Sequence, residues 1–307
     1  MDTKDILEIF KRKPYMLRMG KGLLSKRLGT TPEKILQAKK TYYGGLSSTT
    51  HQPKILILDI ETAPMRGYIF SLWKDTVNLD KLISDWYIIS WSAKWLFNKE
   101  VLGDVLTCEE AKHQDDRRVV ISLSRLLNEA DIIITHNGKR FDLPKINARA
   151  LIHQLPPIKP NQTIDTFEVA KRQFGFTSNK LDYLARVLGI DVKLDTDFKL
   201  WSACVDGDPE ALKYMLKYNK WDVECLEAVY LRLRPWIRNH PNLALYYESD
   251  RLVCPNCGSE HLISAGYYYT TVNKYQVYRC ECGAISRVRN SSLSQESKKF
   301  ILNNNIN

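Results

Sequence analysis

The chain has no apolar run as long as the ~20 residues of a membrane span, which argues against a membrane-spanning helix. Its first residues, Met1-Asp2-Thr3-Lys4-Asp5, lack the charged-then-apolar pattern of a signal peptide. Cysteine is sparse outside one cluster: four of the seven lie between 254 and 282. Cys108, Cys204 and Cys225 are scattered in apolar context and read as buried thiols. That usage fits a reducing, cytoplasmic compartment better than a secreted disulfide framework. Acidic charge is also short, with 35 Asp and Glu against 45 Lys and Arg, a net charge of +10. A basic balance of this size suggests a polyanionic partner, most simply nucleic acid, although charge alone does not separate that from an ordinary basic protein.

What is present divides the 307 residues into blocks. Residues 1–43 hold 11 Lys and Arg against 4 Asp and Glu, most of the net excess. Asp5–Phe10 starts one amphipathic helix, Gly22–Leu28 a second that Gly29 stops, and Thr31-Pro32-Glu33 starts a third with a capping hydroxyl and a proline at the first helical position. Two short helices joined by a glycine turn resemble a helix-turn-helix, a nucleic-acid reader; the plainer reading is a small basic helical cap. Residues 44–53 form a Gly/Ser/Thr-rich linker. From 54 to 245 strand and helix patterns alternate, which predicts an α/β sheet with flanking helices. Strands are predicted near 54–60, 86–97, 101–107, 131–135 and 162–166, and helices near 117–129, 143–153, 179–188, 208–217 and 219–233. Residues 250–290 are a tyrosine-rich hairpin bracketed by cysteines, and 291–307 a polar tail expected to be disordered.

The chemistry concentrates in Lys54-Ile55-Leu56-Ile57-Leu58-Asp59-Ile60-Glu61. The apolar run reads as a buried strand, and residues two apart on a strand point the same way. Two carboxylates therefore project side by side from its end. At about 4 Å and an effective dielectric near 20 they repel by roughly 4 kcal/mol, and divalent cations are the usual means of offsetting that. A second apolar strand ends at His136-Asn137, followed by Gly138-Lys139-Arg140-Phe141-Asp142 before a helix. Tyr218 and Asp222, four apart, share a helix face. Asp165 and Asp182 read as a cap and a surface charge, and the aromatic stretch Trp86–Trp95 as core packing.

In this order and spacing the residues resemble the DEDD family of 3′–5′ exonucleases, which share a ribonuclease-H-like α/β fold: a mixed sheet with flanking helices. Asp59-Ile60-Glu61 resembles the first motif. Asn137–Asp142 resembles the second, in a form similar to the proofreading domain of B-family DNA polymerases. Tyr218-x-x-x-Asp222 resembles the third, in the tyrosine subclass. The resemblance covers 54–235 and leaves no room for a polymerase portion. It implies a two-metal phosphodiesterase. Asp59, Glu61 and Asp222 would hold one magnesium or manganese ion, with Asp59 bridging to a second held by Asp142. Tyr218 would orient the attacking water, and Asn137 and Phe141 would shape the pocket for the terminal nucleotides.

Cys254-Pro255-Asn256-Cys257-Gly258 is a metal knuckle, two thiols on a tight turn closed by glycine. Its partner is Cys280-Glu281-Cys282, and the hairpin between them makes this look like a zinc ribbon with four thiolate ligands. One gap departs from the usual two residues, which leaves Cys282 and His261 as competing fourth ligands. Lys274, Arg279, Arg287 and Arg289 make the ribbon basic, suited to gripping nucleic acid or docking a replication or repair protein. The leading expectation is a metal-dependent DNA 3′–5′ exonuclease. The alternatives are an RNA exonuclease or structure-specific endonuclease on the same fold, and a non-catalytic nucleic-acid-binding protein.

Overall fold

The computed structural model describes residues 2–12, 16, 21–45, 52–71, 73, 78–190, 194, 196–247 and 251–302. Most of the expected linker and the last five residues of the tail lie outside them, as do the side chains of Lys39 and Lys40. The chain divides into two compact units, Met1–His51 and Gln52–Asn307.

The first unit has α1 (Thr3–Arg12), α2 (Lys21–Leu28) and α3 (Pro32–Gly45). Gly29 takes a left-handed conformation after α2, and Thr31 Oγ1 accepts from the Lys34 amide at the start of α3. Ile6, Phe10, Met16, Leu24, Ile35 and Ala38 form a small core of their own.

The second unit is built on five strands: β1 (Ile55–Thr62), β4 (Ile88–Trp95), β5 (Leu102–Val105), β6 (Ile132–Thr135) and β7 (Gln162–Asp165). β2 (Arg66–Gly67) and β3 (Leu82–Ser84) form a separate short hairpin. The sheet order is β5-β4-β1-β6-β7. β1 is antiparallel to β4 and parallel to β6, and β6 is parallel to β7. Flanking it are α4 (Cys108–His113), α5 (Arg117–Glu129), α6 (Asp142–Ile152), α7 (Thr166–Gln173), α8 (Leu181–Val187), α9 (Phe198–Val205) and α10 (Pro209–Leu233). This is the expected mixed sheet with flanking helices.

β1 is apolar on both faces because both are covered. Leu56, Leu58 and Ile60 pack with Val119, Val120 and Leu123 of α5. Ile55 and Ile57 pack with Val223, Leu226 and Tyr230 of α10. The period of two then carries Asp59 and Glu61 onto the α10 side. α10 is pinned there by a largely buried ion pair between Lys94 of β4 and Glu227, at 2.5 Å. Behind α6, buried Asp116 accepts two hydrogen bonds from Arg149, at 2.7 and 2.6 Å, and one from the Ile88 amide.

Some elements differ from the sequence expectation. The helices predicted at 208–217 and 219–233 are one 25-residue helix, since nothing between them breaks the pattern. α4, α7 and α9, too short for a clear helical period, have no counterpart in the prediction. Cys204 and Cys225 are buried as expected, but Cys108 is partly exposed.

The cysteine hairpin belongs to the second unit. It comprises β8 (Leu262–Tyr269), β9 (Lys274–Cys280) and β10 (Ile285–Arg287) in the order β10-β9-β8. Buried Arg234, just past α10, donates through Nε (2.9 Å) and Nη2 (2.5 Å) to the Asn256 carbonyl, and Asn256 Nδ2 donates back to the Arg234 carbonyl at 3.0 Å. The expectation of a disordered tail fails over its first part. The Ser292 amide donates to the Lys274 carbonyl, and Gln295–Lys299 forms a short helix, α11, capped by Ser294.

Candidate active site

β1 and β6 pair only as far as Ile57 and Ile134. Beyond that point the edge of β1 is free, and α6 starts there. The buried Asp142 carboxylate accepts from the Ile60 amide at 3.1 Å, taking the place of a neighbouring strand. Asp142 is thus tied to β1 between Asp59 and Glu61. The turn before it is tight. Asn137 is left-handed, and a Cβ on Gly138 would come within 2.4 Å of Thr135 Cβ, so only glycine fits. Asp165, buried at the end of β7, accepts from the amides of Asn137 (2.8 Å) and Lys139 (3.1 Å) while capping α7. It is a cap, as the sequence suggested, and it also clamps this turn.

From α10, Asp222 joins Asp59 and Glu61, and ligand oxygens of the three lie within 4.8 Å of one another. Asp142 is outside that trio but close enough to act on it electrically. Burial, then the charges of Asp142, Glu61 and Asp222, pushes the Asp59 carboxyl well above the usual range. Burial and Asp222 push Glu61 up to about 8, and burial raises Asp142 to about 7. Four clustered acids that resist ionising together constitute a site whose charge a cation would balance. The donors are all carboxylate oxygens, which fits magnesium or manganese better than zinc.

Tyr218 lies one turn from Asp222 on α10, on the face the spacing predicts they share. Burial and the charge of Asp222 raise the Tyr218 hydroxyl far above an ordinary phenol, so it stays protonated.

Three site residues carried no signal in the sequence. Asn219, fully buried, donates from Nδ2 to Asp59 Oδ2 at 2.6 Å. Trp201 lines the same cleft as Glu61 and meets the Tyr218 ring edge-on at 6.0 Å. Lys145 Nζ lies 3.7 Å from the Trp86 ring centroid and 4.8 Å from that of Phe141.

A cleft of about 630 Å³ opens beside the acids, lined by Glu61, Trp86, Phe141, Lys145, Phe198 and Trp201 among others. Phe141 is therefore at the cleft. Asn137 is not among its lining residues and serves the turn instead. Trp86 corrects the core-packing expectation: it precedes β4, which begins at Ile88, and faces the cleft, whereas Trp91 is buried as expected. Asp182 is in the first turn of α8, away from the acidic trio.

The sulfurs of Cys254, Cys257, Cys280 and Cys282 also converge within 4.8 Å of one another. Cys254 to Cys282 is 3.8 Å and Cys257 to Cys280 is 3.5 Å. A tetrahedral zinc site with bonds of about 2.3 Å has sulfur–sulfur edges of about 3.8 Å, so the four thiols fit that ion. Cys282 completes the cluster. His261 is exposed and outside it, and its backbone amide donates to Ser259 Oγ.

Residues 96–234 match the family model of the RNase H superfamily, a span that includes Asp142, Tyr218 and Asp222 but starts after β1. Among solved structures the chain is similar to the family B DNA polymerase from the hyperthermophilic archaeon Pyrobaculum calidifontis, at 18% identity and a TM-score of 0.45 over 60% of this chain. It spans 25% of that polymerase's length. No curated protein matches the chain. The family match, together with the mixed sheet and the acids at the free end of its central strand, gives the main body of this chain an RNase H-like fold.

Proposed function

We propose that the chain is a metal-dependent 3′–5′ exonuclease that hydrolyses phosphodiester bonds of DNA. The observation that carries this reading is the convergence of Asp59, Glu61 and Asp222 within 4.8 Å, with Asp142 tied to the same strand. Magnesium or manganese bound there would activate water and stabilise the leaving oxygen, the chemistry of two-metal hydrolysis. Asp59, Glu61 and Asp222 are the residues that would hold one ion, and Asp59 with Asp142 the second.

The remaining groups position. Asn219 restrains one oxygen of Asp59, and Trp201 walls the cleft beside Glu61. Tyr218, kept protonated by burial beside Asp222, orients the attacking water by hydrogen bonding and does not take its proton. Phe141 and Trp86, bridged by Lys145, offer ring faces and a cation to a terminal nucleotide in the cleft. A groove along α10 lined by Lys99, Lys213, Lys217, Lys220 and Trp221, with Glu224 as its single acid, supports a polyanionic substrate. The 3′–5′ polarity and the preference for DNA rest on the resemblance of the three motifs to proofreading exonucleases. Zinc on the four thiols is structural in this reading, and the basic N-terminal helices add affinity for nucleic acid.

The test uses 5′-labelled and 3′-labelled single- and double-stranded DNA and RNA with the purified chain. A ladder shortening from the 3′ end of DNA, dependent on magnesium or manganese, is the expected result. Internal cuts, strict dependence on RNA, or no cleavage at high enzyme excess would each overturn it.

A further inference from the structure

The ribbon hairpin exposes three consecutive tyrosines, Tyr267, Tyr268 and Tyr269, at 48%, 52% and 64%. Large rings left in water at a strand end contribute nothing to the ribbon's own core, which consists of the cysteines, Ala284 and Leu262. The register sorts them. Tyr267 pairs with Gln276 and Tyr269 with Lys274, so these four project from one face. Lys274 Nζ is held 3.7 Å from the Tyr267 centroid and 5.7 Å from that of Tyr269. Tyr278, two residues beyond Gln276, is on the same face. There it lines a groove of about 360 Å³ together with Arg251, Arg287 and Arg289. Arg287, paired with Val277, starts from the opposite face, where it stacks on Tyr275 at 4.0 Å and lies 5.9 Å from Tyr268, so it borders the groove from the β10 edge.

We propose that this face of the ribbon is a binding track for single-stranded nucleic acid, with bases stacked on Tyr267 and Tyr269 and phosphates held by Lys274 and the arginine-lined groove. Two arguments select that ligand. The first is charge. Residues 251–293 hold five basic groups (Arg251, Lys274, Arg279, Arg287, Arg289) and two acids. Both acids are engaged within the ribbon, Glu260 with Arg251 and Glu281 with Ser259. An apolar protein surface laid here would strip water from the cations and return no counter-charge, whereas a phosphate backbone supplies one. The second is shape. Exposed aromatic faces with interleaved cations gain most from bases not already stacked in a duplex. The bulge at Gly266, left-handed and held by Gln276 Nε2 donating to its carbonyl at 3.1 Å, sets the turn of β8 that brings Tyr267 and Tyr269 over Lys274.

The proposal shares with the nuclease reading only the class of ligand, and binding is measured without cleavage, so either can fail alone. The full chain, without added magnesium or manganese, is titrated into fluorescein-labelled dT20 and a 20-base-pair duplex, followed by anisotropy. The double variant Tyr267→Ala/Tyr269→Ala is expected to weaken dT20 binding by at least about tenfold, and to change duplex binding less. The variant Tyr267→Phe/Tyr269→Phe, which keeps the rings, is expected to bind as the parent does. An alanine variant that retains its zinc and binds dT20 as before overturns the proposal, as does a parent that prefers the duplex. If the alanine variant loses zinc, photo-crosslinking of the unmodified chain to an iododeoxyuridine oligonucleotide decides. Adducts on Tyr267 or Tyr269 support the track, and adducts confined to other segments overturn it.

Discussion

Asn219 on α10 reaches across 160 positions of sequence to donate a 2.6 Å hydrogen bond to Asp59 on β1. That bond favours the ionised form of Asp59, against burial and the neighbouring acids that push its carboxyl up. Asn219→Ala should cost about 1–3 kcal/mol in stability, the penalty for a buried acceptor left unsatisfied, and should slow cleavage. Thermal melts and initial rates at saturating magnesium check both.

Asp59→Asn replaces a buried acid that, without a cation, must either hold a proton or repel Asp142, Glu61 and Asp222. The metal-free variant should be more stable than the parent by on the order of 1–3 kcal/mol, since repulsion is relieved. Cleavage should fall below detection. Magnesium or manganese should raise the melting temperature of the parent and leave that of the variant nearly unchanged. A destabilised variant would contradict the electrostatic account.

Tyr218→Phe keeps the ring against Trp201 and deletes only the hydroxyl. Because Tyr218 stays protonated, the loss should be about tenfold in kcat, below the roughly 10²–10⁴-fold of a general acid or base. The upper limb of the pH–rate profile should not move. A loss of 10⁴-fold would assign the hydroxyl a direct role in proton transfer.

Cys282→Ser should abolish stoichiometric zinc binding, and His261→Ala should leave it intact, as read by metal analysis of the purified chains. Equal zinc content in the two variants would refute the four-thiol site.

Burial lowers His240 to about 4 from 6.5. Its Nδ1 lies 2.7 Å from the Pro241 carbonyl and its Nε2 2.8 Å from the Tyr230 hydroxyl, contacts that the neutral ring satisfies by donating through Nδ1 and accepting at Nε2. Between pH 6.5 and 4 the unfolded chain binds a proton here that the folded chain refuses. The contribution of His240 is therefore complete above pH 6.5 and lost as pH falls toward 4, by at most ~1.4 kcal/mol per pH unit. The carboxylates of the acidic site titrate with the opposite sign. The measurement is thus the difference in denaturation midpoint between the parent and His240→Gln, which should shrink as pH falls.

The parts of the site readable in the sequence are those whose side chains act alone. Asp59 and Glu61 follow from alternation on an apolar strand, and Asp222 with Tyr218 from helical spacing. Asn219 and Trp201 were not legible, because their roles exist only across long sequence separations. Trp86 was misread because an aromatic alternation looks continuous through 86–95, whereas β4 begins at Ile88. α7 was missed because Asp165 both ends β7 and caps the helix that follows at once. The knuckle spacing placed the cysteines, but only the three-dimensional arrangement of sulfurs separated Cys282 from His261.

The paired contacts between Arg234 and Asn256 bear on how separable the parts of the chain are. Asn256 lies between Cys254 and Cys257 of the four-cysteine cluster, and Arg234 directly follows the helix that carries Tyr218 and Asp222. A chain trimmed before the ribbon would keep every acid yet leave a buried guanidinium with no acceptor at the end of that helix. The cysteine hairpin is therefore part of the same folded body as the RNase H-like sheet, and producing that body without it should give an insoluble product.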